Sequence, residues 1–129
     1  MQTFKTKAFS RFAARAGLDD AALCEAVERA GAGLVDADLG GGVIKQRIAR
    51  KGGGRSGGFR TIVLFRRDEL AVFVYGFAKS DRKNLQPDEL TAFRMLADEY
   101  LGLDRAGLAV ARSAGAIIEV KCDDEAIQE

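Results

Sequence analysis

The chain has 129 residues, with 20 Lys and Arg against 19 Asp and Glu, no histidine and two cysteines. This length makes one domain that buries a core without disulfides, and no apolar run approaches the ~20 residues of a membrane span. The missing histidine excludes Ser-His and Cys-His nucleophile pairs and the commonest metal ligand. Any catalysis therefore runs on Lys, Arg, Tyr or carboxylates, with no metal and no cofactor expected.

The N-terminal run MQTFKTKAFSRFAARAG is basic but lacks a continuous apolar stretch or a cleavage site. It argues against a signal peptide and for a cytoplasmic protein. Thr3–Thr6 is predicted as a short strand. Lys7–Ala16 reads as a helix with Ala8, Phe9, Phe12, Ala13 and Ala16 on one stripe, ended by Gly17. Asp19 is the expected N-cap of a second helix, Asp20–Ala30, with Leu23, Ala26, Val27 and Ala30 at helical spacing. Leu34 and Val35 begin an edge segment, and Gly40 to Gly42 make a turn. The period then changes. Ile44–Arg50, Phe59–Arg67 and Ala71–Ala78 alternate or are rich in β-branched and aromatic residues, so three strands in an antiparallel meander are predicted. Pro87 stands at the start of a third helix, Asp88–Leu101, in which Tyr100 is a core residue. Asp104 caps a short fourth helix to Ser113, and Ala116–Val120 is a last strand. The acidic end, Asp123–Glu129, is expected to fray.

The architecture expected is α+β: an N-terminal helical hairpin packed on an antiparallel sheet, then C-terminal helices and a closing strand, in one domain over residues 1–129. Cys24 and Cys122 are far apart and have no metal-spaced neighbour, so two free thiols in a reducing compartment are expected.

Charge is the most informative feature. From Lys45 to Lys83 the chain carries eleven Lys and Arg against three Asp and Glu, a local +8 hidden in a whole-chain charge of +1. Alternation along the first meander strand turns Lys45 and Arg47 to one side and Ile44 and Ile48 to the other. In the next strand Arg60, Ile62, Leu64 and Arg66 share a face, and in the third Phe73, Tyr75, Phe77 and Lys79 do. Lys45, Arg47, Arg60 and Lys79 are thus expected to meet across neighbouring strands. Clustered cations repel one another, and the arrangement becomes favourable once a phosphate chain neutralises them. The loop KGGGRSGG does not match a nucleotide-binding GxxxxGK[ST] and leads into a strand, not a helix. It reads as a mobile hairpin loop bringing Arg50, Lys51 and Arg55 to a polyanion. Tyr75 and Phe77 are candidates for stacking on unpaired bases, and Arg82 and Lys83 extend the basic stretch.

The run VIKQRIARKGGGRSGGFRTIVLF followed by VYGFAKSDRKNL resembles the HigB-like branch of the RelE/ParE toxins of bacterial type II toxin–antitoxin systems. FKTKAFSRFAARAGL, GLVDADLGGGV and AIIEV fit as well, so the resemblance covers Thr3–Val120. It implies a small RelE-like α+β toxin that enters the ribosome and cuts mRNA by activating the ribose 2′-hydroxyl against the adjacent phosphate. By position it implies that Lys45 and Arg47 are the paired basic residues of the central strand. Arg60 would hold the scissile phosphate, and Lys79 would be the basic residue ending the next strand. It also implies a cognate antitoxin, often a helix-turn-helix protein. Two other readings are a ParE-like inhibitor of DNA gyrase and an RNA-binding module without chemistry. The density of cations favours RNA.

Overall fold

A computed structural model describes residues 1–50, 58–82 and 84–122. In chain order these form β1 (Gln2–Thr6), α1 (Lys7–Ala16), α2 (Asp20–Gly31), β2 (Ala37–Gly40), β3 (Val43–Ile48), β4 (Phe59–Arg66), β5 (Leu70–Ala78), α3 (Pro87–Leu101), α4 (Arg105–Ser113) and β6 (Ile117–Glu119). The strands make one sheet in the order β2-β3-β4-β5-β1-β6.

Local chemistry sets the helix ends. The Thr6 hydroxyl accepts the Phe9 N–H, and Gly17 closes α1 in the left-handed region at φ 72°. The Asp19 and Asp104 carboxylates accept N–H groups of Ala22 and Gly107. Pro87 opens α3 behind a capping box between Gln86 and Glu89. Gly17, Asp19, Pro87 and Asp104 stand where the sequence predicts them; the Thr6 cap and the Gln86–Glu89 box are further findings.

The sheet is mixed, not antiparallel throughout. The meander β3-β4-β5 is antiparallel as expected, but β1 lies parallel beside β5 and antiparallel beside β6. This interior position for the first strand rests on pairings between distant parts of the chain. The edge strand is also displaced from expectation. Leu34 is exposed, and β2 starts only at Ala37.

Helices cover both faces. On one, Phe9, Ala13, Leu23, Ala26 and Val27 of α1 and α2 pack on Ile44, Ile48, Val63 and Phe73. On the other, Phe93, Leu96, Ala97 and Tyr100 of α3, with Leu108 of α4, pack on Val43, Ile62, Leu64 and Val72. Tyr100 packs there as expected, and its burial raises the hydroxyl's pKa.

Two expectations are corrected by the packing. First, a bulge shifts the β4–β5 register: Ile62 pairs with Tyr75 but Val63 with Phe73, leaving Val74 extra. Phe73 therefore joins the α1–α2 core, while Tyr75 and Phe77 turn to the α3 face; the four residues expected on one face are split. Second, Cys24 and Cys122 are disulfide-bonded, not free thiols. The Val120 N–H bonds to the Thr3 carbonyl and the Lys121 N–H to the Asp20 carboxylate. These bonds lay the chain after β6 across the start of α2 and bring the two sulfurs together. A sequence separation of 98 gives no local sign of that meeting.

Candidate nucleic-acid interface

The register of β3, β4 and β5 builds the site. Arg47 lies opposite Arg60, and Arg60 opposite Phe77; in the neighbouring row Lys45 lies opposite Ile62, and Ile62 opposite Tyr75. Because Ile62 faces α3, so do Lys45, Arg47 and Arg60. Ile62 is fully buried under the helix, whereas Lys45 and Arg60 are half-buried and Arg47 is exposed. The strip is the open part of a face otherwise covered by apolar packing.

Arg60 stands out within it. Its Nη1 is shielded from solvent and has no hydrogen-bond partner among the described residues. Leaving a buried donor unpaired costs about 1–3 kcal/mol, more when it is charged. An anionic acceptor would satisfy it. Arg60 borders a cavity of about 460 Å³ shared with Arg47, Arg29, Glu25 and Asp36.

A polar network absent from the sequence reading holds the strip in place. Both outward backbone groups of Arg47 are capped by side chains: its N–H donates to Asp36 Oδ2 at 2.7 Å, and its carbonyl accepts from Arg29 Nη2. Arg29 in turn pairs with Asp36 at 3.6 Å and Glu25 at 3.0 Å. The β2 strand has already ended here, since its first residue, Ala37, pairs with Lys45. Asp36 and Arg29 do the work of a missing strand neighbour. Behind the strip, buried Gln46 donates to the carbonyls of Ala26 and Leu34 and accepts the Asp36 N–H, while the Thr61 hydroxyl donates to the Gln46 carbonyl.

The remaining expected residues divide. Lys79 lies just past β5, exposed, with its N–H bonded to the Gly58 carbonyl, so it borders the strip at its open end. Arg82 is already engaged. It forms a two-pronged ion pair with Glu89, donates to the Asn84 carbonyl and Tyr75 hydroxyl, and lies over the Phe77 ring at 5.4 Å and Tyr75 at 5.9 Å. The Glu89 bonds raise the Arg82 pKa. Arg82, with the Gln86 N–H, holds the Glu89 carboxyl below its ordinary range. Arg82 therefore adds no net charge to the face. Phe77 is 4% exposed, so stacking on a base requires Arg82 to move. Tyr75 is half-buried and packs on Phe93. Arg50 sits 5.2 Å over Phe59, a ring of the α1–α2 core, and so belongs to the opposite side of the sheet from Arg60. Lys51, Arg55 and Lys83 lie outside the described residues. Among the described residues no group of His, Cys, Asp and Glu is placed to hold a metal ion.

A family model described as the RelE toxin of the RelE/RelB toxin–antitoxin system matches residues 1–120. The chain belongs to the RelE toxin family. Family membership makes it the toxin of a toxin–antitoxin system and gives it an antitoxin partner. No curated protein matches it. No helix among the described residues is long and apolar enough to cross a membrane.

Proposed function

We propose that this RelE-family chain is a HigB-like, ribosome-dependent mRNA endonuclease that halts translation in the bacterial cytoplasm. The observation that carries the reading is the buried Nη1 of Arg60, without a partner among the described residues, within a strip that also holds Arg47 and Lys45. A guanidinium fork fits two oxygens of one phosphate, which a solvated lysine face does not.

In this reading the ribose 2′-oxygen attacks the adjacent phosphorus. The new 2′-O–P bond forms as the P–O5′ bond breaks, leaving a cyclic phosphate and a 5′-hydroxyl. Arg60 holds the non-bridging oxygens, and Arg47 stabilises the charge that grows on them. Lys45 lies one row away and is the residue offered to take the 2′-hydroxyl proton, while the departing O5′ takes a proton from solvent. Lys79, at the open end, contacts the next phosphate. No metal or cofactor takes part. A cognate antitoxin, of helix-turn-helix type, blocks the strip or keeps the toxin off the ribosome.

Induced expression followed by primer extension on a reporter mRNA tests this. Discrete cuts within translated codons are expected. An SOS response with intact mRNA would instead indicate a gyrase poison, and neither effect would leave an RNA-binding module.

A further inference from the structure

A second concave surface wraps the free edge of β5, reaching from the α1 side round to Tyr75, Phe77 and Arg82 on the side of the Arg60 strip. β1 accompanies β5 only from Leu70 to Phe73; beyond that the strand edge is open toward α1. The Lys79 N–H bonds to Gly58 across the β4–β5 pair. Alternation therefore turns the N–H and C=O of Gly76 the opposite way, to the open edge.

A cleft of about 720 Å³ runs along that edge, lined among others by Phe12, Arg15, Arg50, Phe59, Gly76 and Asp81. Phe12 and Phe59 meet edge-to-face with centroids 5.9 Å apart. A Cβ at Gly76 would come within 2.3 Å of the Phe12 ring, so only glycine lets the ring and the strand edge come this close. Arg15, Arg50 and Asp81 are exposed at the rim.

Three properties coincide here. The half-buried Phe12 ring offers stacking to any base, with Phe59 buried beside it under Arg50. A backbone donor beside a backbone acceptor matches the hydrogen-bonding edge of a base. Rim arginines outnumber the one rim carboxylate, which suits flanking phosphates. An inserted protein side chain would use the ring and the strand edge but has no need of the cations.

We propose that this cleft is a nucleobase site, taking one unpaired base of an RNA strand whose phosphate lies on the Arg47–Arg60 strip. The proposal rests on the RNA reading given above. Gly76 is next to Phe77, the residue opposite Arg60, so an RNA strand rounding the Gly58–Lys79 end of the sheet reaches both places.

Fluorescence anisotropy with a labelled five-nucleotide RNA, and with the same oligomer made abasic at each position in turn, tests it. The native protein should bind one abasic oligomer about tenfold more weakly than the intact RNA, the size of one lost stack. Phe12→Leu should erase that difference. Arg15→Glu, at an exposed position that leaves packing untouched, should reduce the salt dependence of binding by about one phosphate. Arg60→Ala should weaken intact and abasic RNAs alike; if it weakens neither, the RNA reading itself fails. Equal affinity of the native protein for all the oligomers would overturn the base site while leaving the Arg60 strip standing. So would an Arg15→Glu variant with an unchanged salt slope, or a Phe12→Leu variant that keeps RNA binding but loses the antitoxin.

Discussion

Gln46→Leu tests whether the polar network behind the basic strip is structural support. Gln46 is 1% exposed. Its amide donates at 3.0 Å to Ala26 and 3.3 Å to Leu34, and its carbonyl oxygen accepts from Asp36 at 2.7 Å. Leucine fills a similar volume and makes none of these bonds. Ala26 lies inside α2, where its carbonyl also serves the helix, so the loss concentrates on Leu34 and Asp36. Stranding two such groups near the core costs about 2–3 kcal/mol. For a domain of this size that lowers Tm by about 10 °C. Thermal and urea melts measure it, and an unchanged denaturant slope shows that the native and unfolded states keep their compactness. The Asp36 segment also loosens, and with it the carboxylate that caps the Arg47 N–H, so RNA affinity should fall at temperatures where the variant is fully folded. A loss under about 0.5 kcal/mol, typical of an ordinary surface change, would refute the network's role.

Three further outcomes are expected. Reducing the Cys24–Cys122 bond, which closes a loop spanning 98 positions, should lower stability by about 4.7 kcal/mol in the chain-entropy picture; an unchanged melt in excess reductant would show that the bond carries no stability. The Glu89–Arg82 pair stabilises while Glu89 is ionised. Because its folded pKa is depressed, the contribution is present above about pH 4.3, the ordinary glutamate value, and is lost as pH falls through the lower folded value. The stability gap between the native protein and Glu89→Gln should therefore close in acid; a gap that widens would contradict the pairing. Gly76→Ala should destabilise by about 1–3 kcal/mol through overlap with Phe12, and a silent substitution in the melt would show that the ring is free to withdraw.

Most of the fold was legible because its determinants are local. Asp19 and Asp104 cap the helices expected of them, Gly17 ends α1, and the alternation of Phe59–Arg66 turned Arg60 and Ile62 to the side predicted. What escaped was non-local or disguised. The pairing of β1 with β5 joins residues almost seventy positions apart. The β5 run LAVFVYGFA is apolar on both faces, so nothing in it marks Val74 as the extra residue. ADLG has none of the β-branched residues that announce a strand, so the edge segment was placed from Leu34 and Val35, three residues too early. Gln46 went unassigned between Lys45 and Arg47, although alternation alone puts it on the buried face of Ile44 and Ile48. Arg82 read as free charge extending the basic stretch, whereas Glu89, nothing in the local sequence marking it as a partner, neutralises it.

The measurement closest to the centre of this account is cleavage of a defined mRNA in a purified ribosomal complex with a codon in the acceptor site. The native protein should cut within that codon and leave a 5′-hydroxyl on the downstream fragment. Arg60→Ala should cut at least 100-fold more slowly, the scale of one lost transition-state contact, with an unaltered melt. Full-rate cleavage by Arg60→Ala, or no cleavage by the native protein under these conditions, would contradict the account.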